Sequence, residues 1–123
     1  VPVEFIAGCV AACGLNPTEV VSGACGIAED DPGKPEFARG IDGCGERWAF
    51  DHNIPIHRKP AKFKTLGRKA GPLRNREMAE YADALLLIWD GQSAGSRSML
   101  TQMIGVNKPI YEVILRAGWG RGK

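Results

Sequence analysis

The sequence predicts an α/β protein: a three-layer, Rossmann-like parallel sheet with helices on both faces. Three observations predict it. Residues 84–89, Ala-Leu-Leu-Leu-Ile-Trp, are apolar without a break. Such a run is too short to span a membrane and too continuous for a strand with one wet face, so it reads as a strand covered on both sides. A glycine-rich turn follows (Asp90-Gly91, then Gly95-Ser96), and then a helical pattern with Met99, Leu100, Met103 and Ile104 on one side. Finally, strand-like and helical segments alternate along the chain, which implies right-handed crossovers and parallel strands.

The elements follow in order. Val3, Ile6, Val10 and Cys13 recur at helical spacing, which predicts a helix over 2–14 that stops at Gly14 and Asn16-Pro17. Residues 18–22 read as a short strand ended by Gly23. Residues 25–37 contain Asp30-Asp31-Pro32-Gly33-Lys34-Pro35, which is turn chemistry, so a surface loop or lid is expected. Ile41, Cys44, Trp48 and Ala49 predict a helix from 41 to 52 with Asn53 at its exit. Residues 54–57 begin a strand, and 59–71 form a basic loop hinged at Gly67 and Gly71. Pro72 suits the first position of a helix that reaches Tyr81-Ala82. After the 84–89 strand come a helix over 95–106, Asn107 as its cap, and a last strand over 109–114. Residues 116–123 are expected to be a flexible tail.

Composition narrows the function classes. A chain of 123 residues with 44% hydrophobic and 24% charged residues is expected to be one globular domain over 1–115. The net charge of +2 makes no general case for nucleic acid. The charges are unevenly placed, however: eight basic residues and no acid lie between Arg58 and Arg76. No apolar run approaches the ~18 residues of a membrane span, so no membrane partner is expected. No secretory leader is evident, and a cytoplasmic protein is expected. Cys9, Cys13, Cys25 and Cys44 lack C-x-x-C and zinc-site spacing, so they read as reduced thiols, with Cys9 and Cys13 as buried small hydrophobes. Glu29, Asp30 and Asp31 read as a solvated loop in preference to a carboxylate metal site. His52 and His57 are isolated, and neither a metal nor a resident cofactor is expected.

Ligands in parallel α/β sheets bind beyond the carboxyl ends of the strands. Those ends are Ser22-Gly23-Ala24, the loop after His57, and Asp90-Gly91. Glycines admit an anion to the backbone, and the free N–H groups of a helix start point at it. Arg74 and Arg76 open a helix where positive charge opposes the macrodipole, which makes sense beside an anion. Their alternative is pairing with Glu77, Glu80 or Asp83.

Certain segments are recognisable. Val20-Val21-Ser22-Gly23-Ala24, with Ala38-Arg39-Gly40-Ile41-Asp42 leading to Gly45-Glu46-Arg47-Trp48-Ala49, resembles a split first glycine motif and its helix. Lys69-Ala70-Gly71-Pro72-Leu73-Arg74-Asn75-Arg76-Glu77-Met78 resembles a second motif. Ala82-Asp83-Ala84-Leu85 with Trp89-Asp90-Gly91-Gln92-Ser93-Ala94-Gly95-Ser96 resembles a third. Over residues 18–115 the chain resembles the YspA-type branch of the SLOG superfamily, a Rossmann-like fold shared with LOG phosphoribohydrolases and DprA, found in bacteria and their phages. The resemblance implies a nucleotide or nucleotide-derived ligand, with phosphate at Gly95-Ser96 and Arg74 and Asn75 lining the pocket. The ligand-binding set it implies is Ser22, Gly23, Arg39, Gly40, Asp42, Arg74, Asn75, Asp90, Gly91, Ser93, Gly95 and Ser96.

The sequence departs from that family in three ways. Residues 25–37 are inserted within the first motif. Met99 stands where LOG enzymes carry an acid, and a thioether neither takes a proton nor stabilises an oxocarbenium ion. The family's usual first strand is missing, so an open edge or slot is expected, with the N-terminus truncated or replaced or the sheet completed by another chain.

Three functions compete. The first is binding of a phosphorylated nucleoside, for sensing or processing. The second is N-glycosidic hydrolysis of a nucleoside monophosphate, for which Asp42, Glu46 and Asp90 are the candidate catalytic acids. The third is nucleic-acid binding by the 58–76 stretch with Phe63 and Trp89. Whether the protein is an enzyme, and whether it is a homo-oligomer, both stay open.

Overall fold

The computed structural model describes residues 3–27 and 36–115. The element order is α1 (Val3–Cys13), β1 (Val20–Ser22), α2 (Gly40–Asp51), β2 (Ile56–Arg58), α3 (Phe63–Leu66), a 3₁₀ turn (Gly67–Lys69), α4 (Ala70–Tyr81), β3 (Leu85–Trp89), α5 (Ala94–Gly105) and β4 (Ile110–Ile114). The expected tail and most of the inserted loop, with Glu29, Asp30 and Asp31, lie outside the described residues. No helix among the described residues is long and apolar enough to cross a membrane.

The protein is α/β, as expected, and its strands are parallel: β1 pairs with β2 and β3 with β4. The chain divides into two compact units, Val1–Ala70 and Gly71–Lys123.

In the first unit α1 packs on α2, and α2 packs on β1 and β2. Trp48 and Ala49, two of the predicted stripe residues on α2, are buried, and so is Ile6 on α1. Ala24, Ile27 and Ala38 form a small apolar cluster beyond the end of β1. Gly43 is required there by contact: a Cβ on it would run into the backbone carbonyl of Ala38. Asn53 leaves the helix at φ 55°, a left-handed conformation that asparagine tolerates. The expectation of Cys9 and Cys13 as buried residues is corrected, since both are half-buried. The basic loop also differs, because residues 63–69 form α3 and the 3₁₀ turn.

In the second unit α5 packs on β3 and β4. Its Met99 and Met103 meet Ala79 of α4, with Met78, Leu85 and Ile110 around them. Ile104, expected on the same stripe, is exposed. The helix α4 starts at Ala70, so Pro72 is its third residue and not its first. Proline is tolerated there because the first N–H groups of a helix have no intrahelical acceptor. At the other end, Lys108 Nζ donates to the carbonyls of Ala79, Glu80 and Ala82 at 2.9, 2.8 and 2.7 Å. A cation on the terminal carbonyls suits the negative end of the macrodipole.

Candidate functional site

The two turns expected to cradle an anion are built from different material. After β1, Ser22 Oγ donates to Glu46 Oε2 at 2.6 Å and accepts from the Ala24 N–H at 3.0 Å. Glu46 is fully buried, and Arg58 beside it keeps only 12% of its side chain exposed. Arg58 holds Glu46 with both ends of its guanidinium, Nε to Oε2 at 3.1 Å and Nη2 to Oε1 at 2.8 Å. The Ala38 N–H adds a bond to Oε1 at 3.0 Å. Burial alone would raise the Glu46 pKa. The hydrogen bonds from Arg58, Ser22 and Ala38, with the charge of Arg58, outweigh it and hold the carboxyl below its ordinary value.

These bonds bear on two expectations. Glu46 was a candidate catalytic acid, but each oxygen already accepts two hydrogen bonds and no water-exposed face remains for a substrate. Ser22 was a candidate ligand contact, but its hydroxyl is committed as donor and acceptor within the protein. Asp42, in the first turn of α2, accepts from the Cys25 N–H at 3.2 Å. Gly23 is buried. Arg39 is exposed; it donates its N–H to the Cys25 carbonyl at 2.7 Å and lays its side chain against Gly26. Gly40 opens α2 at φ 64°.

After β3 the arrangement is more open. Asp90 Oδ1 accepts from the N–H groups of Gln92 and Ser93 at 2.8 and 2.9 Å, and Gly91 turns the chain at φ 83°. Ser93 precedes α5 without capping it through its side chain. The first bond from the helix start back to the turn runs from the Arg97 N–H to the Ser93 carbonyl. Ala94, Gly95 and Ser96 therefore carry N–H groups with no acceptor among the described residues, at an exposed helix start.

Asn75 of α4 reaches this turn. It is buried, and its Nδ2 donates to the Gly95 carbonyl and to Ser98 Oγ, both at 3.2 Å. Its Oδ1 accepts from Arg74 Nε at 2.8 Å. Of the predicted set, Arg74, Asn75, Asp90, Gly91, Ser93, Gly95 and Ser96 thus lie in one unit, with Asn75 linking Arg74 to the turn. Ser22, Gly23, Arg39, Gly40 and Asp42 lie in the other. Arg76 takes the alternative role, an exposed pair with Glu80 one turn on.

Two residues that matter were not singled out from the sequence. Arg58 was counted only in the basic stretch. The signal for its role is the register, which sets Ser22 opposite Arg58 at the ends of β1 and β2. Ser98 carries no sequence signal beyond its place one turn after Gly95. Trp89, expected to help bind nucleic acid, is 7% exposed and donates its indole N–H to Glu112 at 2.7 Å. Among the described residues no group of three or more His, Cys, Asp or Glu side chains could hold a metal ion. No protein-family model, curated protein or solved structure matches the chain.

Proposed function

We propose that the second unit binds a nucleotide or nucleotide-derived phosphorylated ligand, as expected of the YspA-type branch of the SLOG superfamily. The phosphate sits on the N–H groups of Ala94, Gly95 and Ser96 and meets the guanidinium of Arg74. One observation carries this reading: Asn75 bonds at once to Arg74 Nε and to the Gly95 carbonyl. A guanidinium tethered beside a helix start is preorganised for an anion, and its planar fork matches phosphate geometry. The proposal is binding rather than hydrolysis. Glu46 is saturated, and position 99, where LOG enzymes place their acid, is a buried methionine packed with Ala79 and Met103.

A thermal-shift panel of mononucleotides, dinucleotides and ADP-ribose tests this. At least one is expected to raise the melting temperature, and Arg74→Ala is expected to abolish that rise. No shift with any member would sink the proposal.

A further inference from the structure

The basic stretch is not absorbed by the nucleotide site, and the structure sorts its members. Arg58 is spent on Glu46, Arg74 is tied to Asn75, and Arg76 pairs with Glu80. What stays on the surface is the segment 62–69, Lys-Phe-Lys-Thr-Leu-Gly-Arg-Lys, every residue of which is exposed. Phe63 is 61% exposed and Leu66 42%. They are three residues apart on the single turn of α3, hence on one side of it. Gly67, at φ 61° and ψ −137°, then turns the chain into the 3₁₀ turn that carries Arg68 and Lys69. Lys62, Arg68 and Lys69 have no acidic partner among the described residues.

We propose that this segment docks single-stranded nucleic acid, with Phe63 stacking on a base, Leu66 flanking it, and Lys62, Arg68 and Lys69 on the phosphates. Charge complementarity selects a polyanion. The apolar part selects among polyanions. Two side chains on one helical turn offer far too little area to seat in a bilayer, where a long amphipathic face is needed. One exposed ring flanked by cations suffices as a stacking platform. Trp89 has no part in it, being buried and hydrogen-bonded to Glu112.

Fluorescence anisotropy of a labelled oligothymidylate with the full chain tests the proposal. Three cations on phosphates predict a slope of about −2 for log affinity against log salt on a single strand. Phe63→Ala is expected to weaken binding roughly tenfold. The triple change of Lys62, Arg68 and Lys69 to Gln is expected to flatten the slope. Ile104→Ala, which trims an exposed apolar side chain elsewhere, leaves affinity unchanged. All these positions are exposed, and a thermal melt of each variant confirms that it folds. Absence of oligonucleotide binding overturns the proposal. So does Phe63→Ala binding as well as the parent, equal competition by polyglutamate, or capture by phosphatidylserine vesicles without oligonucleotide binding.

Discussion

The turns after β1 and β3 share a sequence pattern, a short apolar strand, then serine and glycine, then a helix, yet one is closed by a buried, saturated carboxylate and the other carries an exposed one. After β1 the protein supplies its own anions. Asp42 takes the Cys25 N–H, and Glu46 takes the Ala38 N–H together with Ser22 and Arg58. After β3, Asp90 takes two N–H groups of the turn, while those of the first three helical residues have no acceptor among the described residues. The lesson is that the same strand, turn and helix start closes on itself where a buried carboxylate of the following helix gathers the loop donors and a guanidinium, and stays exposed where the following helix offers none, although neither helix start has a side-chain cap. Position 46 holds glutamate in one unit. In the other, the buried positions of α5 are Met99 and Met103.

If that contrast is right, substitutions after β1 act on stability and those after β3 act on binding. The largest expected effect is that of Glu46→Ala. It removes the carboxylate from a largely buried Arg58 and leaves a void, and should cost about 3–5 kcal/mol in urea unfolding. A cost below about 1 kcal/mol would erase the contrast. The same group sets a pH dependence. Its folded pKa lies below its unfolded value, so the unfolded chain binds more protons in that window. The stabilisation is therefore present above the ordinary carboxylate range and is lost as pH falls through it toward the depressed value. Glu46→Gln should remove that part of the acid dependence, seen as a flatter plot of unfolding free energy against pH.

A smaller effect is expected at Gly43, where a methyl group would meet the Ala38 carbonyl. Gly43→Ala should destabilise by about 1–3 kcal/mol despite the better helix propensity of alanine. A stabilised variant would mean that the loop at Ala38 yields freely. Smaller still is Asn75→Ala, at about 1–2 kcal/mol, since it removes the side-chain donor to the Gly95 carbonyl and to Ser98 Oγ and frees the buried space Asn75 fills. It should also reduce any nucleotide-induced thermal shift, because Arg74 loses its tether. An intact shift with this variant would separate Arg74 from the helix start.

Most element positions were legible because helical and strand periodicities are local. The helix over 2–14, the helix from 41 to 52 and the strand over 84–89 all appear within two residues of expectation. Helix α3 was missed because four residues, two of them Lys and Thr, give no periodicity to count. The start of α4 was misplaced because Pro72 tolerates any position of a first turn. The division into two units was invisible, since strand pairing is non-local and periodicity says nothing about partners. The link from Arg74 through Asn75 to Gly95 joins residues close in pattern to one another, whereas the saturation of Glu46 depends on partners 12 and 24 positions away in the chain.

The pairing of β3 has a consequence for handling the protein. The Leu85 N–H donates to Pro109 and the Leu115 N–H to the Trp89 carbonyl, so Leu85, Leu87 and Trp89 turn their backbone groups toward β4. Leu86 and Ile88 turn theirs the opposite way. A strand reading Leu-Leu-Leu-Ile-Trp, with neither proline nor charge to interrupt it, is a template for cross-β growth wherever that side meets another unfolded chain. Concentrated samples near the unfolding midpoint should therefore lose protein to fibrils seeded from this strand, and a lysine at position 86 is the change that would keep them clear.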